Sequence, residues 1–302
     1  MATSAPLVTV GLPTYNRVTQ LGRAIDSVLG QSYQNIELVI SDNGSTDDTE
    51  AFCRRTAAGD ARIRYARHPA NRGPGFNYNY VLNEARGAFF MWLADDDWLD
   101  PNYLSRCATL LAAGPEYTVV CGRDRYYRDG ICDSEGPVMD LDEESGADRV
   151  VSYYRQVGLN GAFYGLMRRD LISRVPMVNA MGGDWLMVAA MAFMGKLRTI
   201  SDTCVNRSMG GMSADWAKLA GSFGLSRVES ENPYLTIAAT VFTDVAWRSP
   251  IYSSLGSADR VWLAGRAAAT VVGRQYSLRH PLSLAWRLCR VLQARASLIS
   301  GS

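Results

Sequence analysis

The strand-like run Ala88-Phe89-Phe90-Met91-Trp92-Leu93 is followed, after Ala94, by three consecutive carboxylates, Asp95, Asp96 and Asp97. Adjacent negative charges repel, and such a cluster is tolerable when it is solvated or when a cation sits among its members. A hard divalent metal held by one or two carboxylates together with substrate phosphates is the functional reading. An acidic turn ahead of a helix at Pro101 is the plain one. Two more polar groups decide between them. Thr14, Tyr15 and Asn16 follow an apolar strand near the start of the chain, and Asp42 and Asn43 follow the next. A separate carboxylate, Asp184, stands after Gly182-Gly183 at the predicted start of a helix, where the helix dipole favours its ionised form.

The elements that must position these groups alternate in type. Leu7 to Leu12 is a continuous apolar strand, and Val18, Leu21, Ile25, Val28 and Leu29 recur at helical spacing. Ile36 to Ile40 is a second strand. Ser45 to Asp48 supply capping residues and first-turn acids for a second helix. Ile63 to Tyr65, a loop at Asn71 to Gly75, a helix stopped by Gly87 and the Ala88 to Leu93 strand complete the series. This order predicts an α/β fold with a doubly wound, mostly parallel sheet. Ligands of such sheets bind beyond the carboxyl ends of the strands. Three strand ends thus send polar groups to one crevice.

Beyond Pro101 the pattern predicts a helix to Leu111, a strand over Tyr117 to Cys121 and a hairpin at Asp129-Gly130. It then predicts a mobile acidic loop from Asp133 to Asp148 and a buried strand from Ala162 to Met167. A helix to Met194 and a strand from Leu197 to Ile200 follow, and the chain reads as helical from Trp216 onward. After Arg260 no acidic residue occurs, while Arg266, Arg274, Arg279, Arg287, Arg290 and Arg295 do, with Trp286, Leu288, Leu292 and Leu298 among them. This basic stretch suits peripheral contact with an anionic membrane, packing on the rest of the chain, or a homodimer interface.

Composition excludes several classes. A net charge of +1 over 302 residues gives no general field toward nucleic acid. The six cysteines form no CxxC pair, and no signal peptide is evident, so they read as reduced thiols of a cytoplasmic protein. His68 and His280 have no metal-ligand neighbours, so any general base is expected to be a carboxylate. Leu12-Pro13-Thr14-Tyr15-Asn16 is not the G-x-G-x-x-G of a nicotinamide-dependent oxidoreductase. A sugar nucleotidyltransferase would carry a Gly-rich loop and a nearby Lys after its first strand, and neither is present.

Four motifs in order, Val10 to Arg17, Ile40 to Asp47, Asn71-Arg72-Gly73 and Trp92 to Pro101, resemble family 2 glycosyltransferases. The resemblance covers roughly the first 110 residues and continues more weakly through Asp184 to about Ser213. It implies the GT-A fold, inversion at the anomeric carbon, a nucleoside-diphosphate sugar donor and a Mn²⁺ or Mg²⁺ cofactor. Residues 1–100 would form the donor half, 101–215 the acceptor half, and 216–302 a helical C-terminal extension. Pro13, Thr14, Tyr15 and Asn16 would wall the nucleotide, Asp42 would read its base, and Asn71, Gly73 and Asn79 would lie along it. Asp96 and Asp97 would bind the metal, with Asp95 on the ribose. Asp184 would be the catalytic base, Trp185 its neighbour on the acceptor side, and Arg207 a contact to the diphosphate. The acceptor would be a hydroxyl of a saccharide, a lipid-linked saccharide or a small molecule, as in polysaccharide biosynthesis. A second reading is a catalytically inactive GT-A module that only binds nucleotide sugar. Ala94, Gly183 and Met209 stand where the family often carries Asp, Glu and His.

Overall fold

The computed structural model describes residues 5–175, 177–209, 221, 224–274, 290, 291 and 293. Its core is a sheet of nine strands in the order β3-β2-β1-β4-β8-β6-β9-β5, with β7 paired to β6. The first half follows from apolar patterning. β1 (Val8–Thr14) and β2 (Ile36–Asp42) are buried along their whole length. That is the signature of parallel strands covered on both faces. β3 (Ile63–Arg67) and β4 (Phe89–Trp92) extend this parallel set on either side. Between them run α1 (Val18–Leu29), α2 (Thr49–Gly59) and α3 (Pro74–Asn83). α1 buries Leu21, Ala24, Ile25 and Val28, the spacing of one helical face. α3 lies so close to β1 that a Cβ on Gly11 would meet Val81 at 2.7 Å, which fixes glycine there.

The second half mixes strand directions. β5 (Trp98–Leu99), α4 (Tyr103–Ala113), β6 (Tyr117–Arg128) and β7 (Ile131–Glu135) come first. They are followed by α5 (Gly146–Gln156), β8 (Leu166–Arg168), α6 (Arg169–Ile172), α7 (Gly183–Met194) and β9 (Lys196–Ser208). β6 and β9 are parallel, whereas β8 runs antiparallel to both β4 and β6 and joins the two halves. The C-terminal region is helical: α8 (Arg227–Glu231), α9 (Pro233–Thr243) and α10 (Ser257–Gly273). α10 packs on α9 and α5, and α5 packs on α7.

Three local expectations need correction. The strand expected over Ala162 to Met167 is a 3-10 turn (Gly161–Tyr164) followed by the short β8. The turn lets Phe163 stack on Trp92 at 4.9 Å between ring centroids, and lets Tyr103 donate to the Tyr164 carbonyl. The acidic segment expected to be mobile is pinned. Part of it is β7, Leu141 bridges to Leu197, and Asp140 and Asp142 pair with Arg198. The strand expected to end at Ile200 continues to Ser208, which brings Arg207 into register with Tyr126 of β6. The Asp129-Gly130 hairpin forms as expected, with φ of 50° and 79° at its two central residues. Met212, Ser213 and Trp216, and from the basic stretch Arg279, Arg287, Arg295, Trp286, Leu288, Leu292 and Leu298, lie outside the described residues. Among the described residues no helix is long and apolar enough to cross a membrane.

Candidate active site

β2 and β4 flank β1 on opposite sides, so the strand order reverses at β1 and opens a crevice beyond its carboxyl end. A cleft of about 750 Å³ occupies this place. Its near wall carries Pro13, Thr14, Tyr15, Asn71 and Gly73, and its floor carries Asp95, Asp96 and Asp97. Its far wall carries Asp184, Trp185, Arg207 and Met209, and Ile237 of α9 closes one side.

The carboxylates of the triplet are held in different directions. Thr14 Oγ1 donates to Asp95 Oδ2 at 2.7 Å, Arg17 stands 3.7 Å from Asp96, and the Ser208 backbone N–H donates to Asp97 Oδ1 at 2.9 Å. Burial pushes Asp95 up to about 6 and Asp97 up to about 7, against the opposing pull of Thr14 on the first and Arg207 on the second. Such carboxylates are short of positive charge. Among the described residues no group of three or more His, Cys, Asp or Glu side chains is placed to hold a metal by itself. The oxygen-only donors fit a hard divalent cation that completes its shell with substrate phosphates and water.

Arg207 reaches into the same region. It lies 3.7 Å from both Asp97 and Asp124 and donates to the Leu159 carbonyl at 2.7 Å. Burial alone would lower its pKa, but Tyr164, Asp124 and Asp97 outweigh that and raise it, so it stays a cation. Asp184 sits in the first turn of α7. Its Oδ2 accepts from the Asn160 amide at 2.7 Å, and the Tyr153 hydroxyl donates to Asn160 Oδ1 at 2.8 Å. Burial raises the Asp184 carboxyl above its usual value. The Asn160 bond, the backbone N–H groups of Asp184 and Trp185, and the charge of Arg207 hold it down.

Three residues named from sequence do not border the cleft. Asp42 is fully buried, accepting from the Ser45 N–H and the Tyr65 hydroxyl, each at 2.8 Å, and it braces the turn behind the near wall. Asn16, at φ 53°, accepts from the Thr46 N–H at 2.8 Å. Asn79 bonds both backbone groups of Met177, so it anchors a segment of the far wall; Asn77, two residues earlier, borders the cleft instead. Sequence reasoning missed Arg17, Asn77, Asp124 and Asn160. The Asn160-Gly161 pair was a visible turn signal. Asp124 alternates with Arg123 and Arg125 along β6, and that alternation marks it as inward-facing.

Comparison with known proteins agrees with this architecture. The model of the family described as "Glycosyl transferase family 2" matches residues 9–175. A GalNAc(5)-diNAcBac-PP-undecaprenol beta-1,3-glucosyltransferase of Campylobacter jejuni is 30% identical over 169 residues, covering 55% of this chain and 53% of that protein. An uncharacterized glycosyltransferase of Rickettsia bellii is 37% identical over 111 residues, covering 37% of this chain and 16% of that protein. The chain therefore spans about half, or less, of the length of these relatives. Among solved structures, S. aureus TarS 1-349 in complex with UDP-GlcNAc superposes with a TM-score of 0.63 at 16% identity, covering 95% of this chain and 81% of that one. The mannosyltransferase PcManGT of Pyrobaculum calidifontis, in complex with GDP-Man and Mn²⁺, gives 0.57 at 19% identity, covering 97% of this chain and 83% of that one. At these identities the structures speak for the fold alone, which is GT-A. The family match takes in β1, the aspartate triplet and the strands between them, and the chain belongs to glycosyl transferase family 2.

Proposed function

We propose that this chain is an inverting glycosyltransferase that moves a sugar from a nucleoside-diphosphate donor to an acceptor hydroxyl. One observation carries the reading: Asp184 and the aspartate triplet face a single cleft, with Arg207 at the wall that links them. An inverting transfer needs one base for the acceptor proton and positive charge for the leaving diphosphate. Asp184, at a helix N-terminus, accepts the proton. Arg207 and Arg17 face the diphosphate. Asp96 and Asp97 would hold a Mn²⁺ or Mg²⁺ ion, which supplies further positive charge to the leaving group when bound. The nucleotide lies along Pro13, Thr14, Tyr15, Asn71 and Gly73. Asp42, buried outside the cleft, supports the base through the turn from Ser41 to Ser45.

The acceptor class proposed is a saccharide hydroxyl, supported by the undecaprenol-linked saccharide in the name of the Campylobacter relative. Peripheral membrane contact through the basic C-terminal stretch is consistent with such an acceptor. The test is a thermal-shift screen of UDP, TDP and GDP sugars with Mn²⁺, followed by transfer to saccharide acceptors. Metal-dependent donor binding with sugar released or transferred supports the reading. Donor binding with neither transfer nor hydrolysis identifies an inactive binding module.

A further inference from the structure

We propose that Asn160 is a positioning residue for the base, its amide held at the oxygen by Tyr153 and donating through its NH₂ to Asp184, so that it turns that carboxylate into the cleft. The inference rests on Asp184 being the base. Three independent features place this amide. Asn160 adopts the left-handed conformation, φ 52° and ψ 51°, which asparagine tolerates better than most residues. It is 3% exposed, so its amide does not exchange partners with bulk water. The loop that bears it is clasped from both sides. Arg207 grips the preceding Leu159 carbonyl, and Gly161 lies against Asp124 so closely that a Cβ there would come within 1.6 Å of Asp124 Oδ2.

The chain of bonds has a fixed polarity. The Tyr153 hydroxyl is buried and gives its proton to Asn160 Oδ1. The ionised Asp184 carboxylate only accepts, so the amide NH₂ faces Asp184 and leaves its oxygen facing Tyr153. An NH₂ donor favours the ionised carboxylate over the acid. With one Asp184 oxygen tied to Asn160, a swing about the Cβ–Cγ bond breaks that hydrogen bond, so the carboxylate favours one direction. The same loop reaches Asp97 through Arg207, so the base and the diphosphate end of the cleft share one support. Among the described residues, the charged or titratable groups acting on Asp184 include Arg207 from β9 and Tyr153 and Tyr154 from α5.

Asn160→Gly separates the amide from the backbone, because glycine accepts the left-handed conformation without strain. The full chain is labelled with ¹³C at aspartate carboxyl carbons, and the Asp184 resonance is identified by its loss in Asp184→Asn. Titration of Asn160→Gly should place the Asp184 midpoint about one pH unit above wild type, a tenfold change in proton affinity. Asn160→Asp keeps the shape, replaces the donor with a carboxylate and should raise the midpoint further. Tyr153→Phe, which removes the donor to Asn160 Oδ1 and loosens the amide, should raise it less. The acid limb of the transfer rate should move with the midpoint while donor KM stays. An Asp184 midpoint unchanged in Asn160→Gly or Asn160→Asp overturns the assignment, and either variant suffices if the other does not fold. The titration reads ionisation and not turnover. Transfer that survives Asp184→Asn therefore refutes the base and leaves the titration result intact.

Discussion

Arg207→Met keeps an unbranched apolar stem and removes the charge, and its effect on stability should depend on pH in a calculable way. Arg207 is the cation beside Asp97, at 3.7 Å, and beside Asp124 at the same distance. Asp97 is already pushed up to about 7 with Arg207 in place. An opposite charge at this range lowers a carboxylate by about 1–3 pH units, so its loss should carry Asp97 to about 9. In the unfolded chain the same group titrates near 3.9. A carboxylate raised on folding holds its proton longer in the native state, so stability from this group is present at low pH and is lost as pH rises toward the folded pKa. That loss ends near pH 7 in the wild type and continues to about pH 9 in the variant. The gap attributable to Asp97 is then about 0.4 kcal/mol at pH 7 and about 2 kcal/mol at pH 9. The lost bond to the Leu159 carbonyl adds about 1 kcal/mol at every pH, and Asp124 adds to the slope in the same direction. The assay is urea unfolding with a chelator present, from pH 6 to pH 9. A wild-type-minus-variant gap that stays constant across that range refutes the reasoning, because only an uncompensated carboxylate makes it grow.

Other substitutions probe neighbouring parts of the cleft. Gly161→Ala forces a methyl group to 1.6 Å from Asp124 Oδ2, so overpacking should cost about 1–3 kcal/mol; a melting curve superimposable on wild type would contradict this. Asp96→Ala should abolish Mn²⁺-dependent binding of the nucleoside diphosphate in calorimetry while the melting temperature holds, since Asp96 borders the cleft and not the core; equal affinity in wild type and variant would sink the metal assignment. Asp42→Ala releases the Ser45 turn and Tyr65. Through that turn it should weaken binding of the free nucleoside diphosphate; unchanged affinity in the variant would remove Asp42 from the nucleotide's support.

The first half of the fold was legible because its signals are local. The apolar runs of β1, β2 and β4, the helical spacing of α1 and the aspartates after β4 each declare themselves within a few residues. The second half was harder because its elements are decided by distant partners. Ala162 to Met167 has the composition of a strand, yet Trp92 and Tyr103 draw Phe163 and Tyr164 into a turn. The acidic stretch before α5 looked solvated because its counter-charges, Arg198 and Lys196, lie more than fifty residues further along. For the site, residue types at strand ends and helix starts were readable. Which oxygen faces which donor was not, because Asp42 and Asn79 turn to partners that no spacing rule names. Asn160 and Asp124 acquire their meaning only when the 158–161 loop, β6 and β9 meet.

The central claim is that Asp184 is the base of this cleft. The most direct measurement is the transfer rate of Asp184→Asn beside its donor dissociation constant, on the donor and acceptor returned by the screen. The substitution keeps size and removes the proton acceptor, so transfer should fall by about 10²–10⁴. Donor affinity should stay near wild type, since Thr14, Tyr15, Arg207 and the triplet are untouched. Transfer near the wild-type rate with donor affinity unchanged would make Asp184 a helix-start acid and contradict the account.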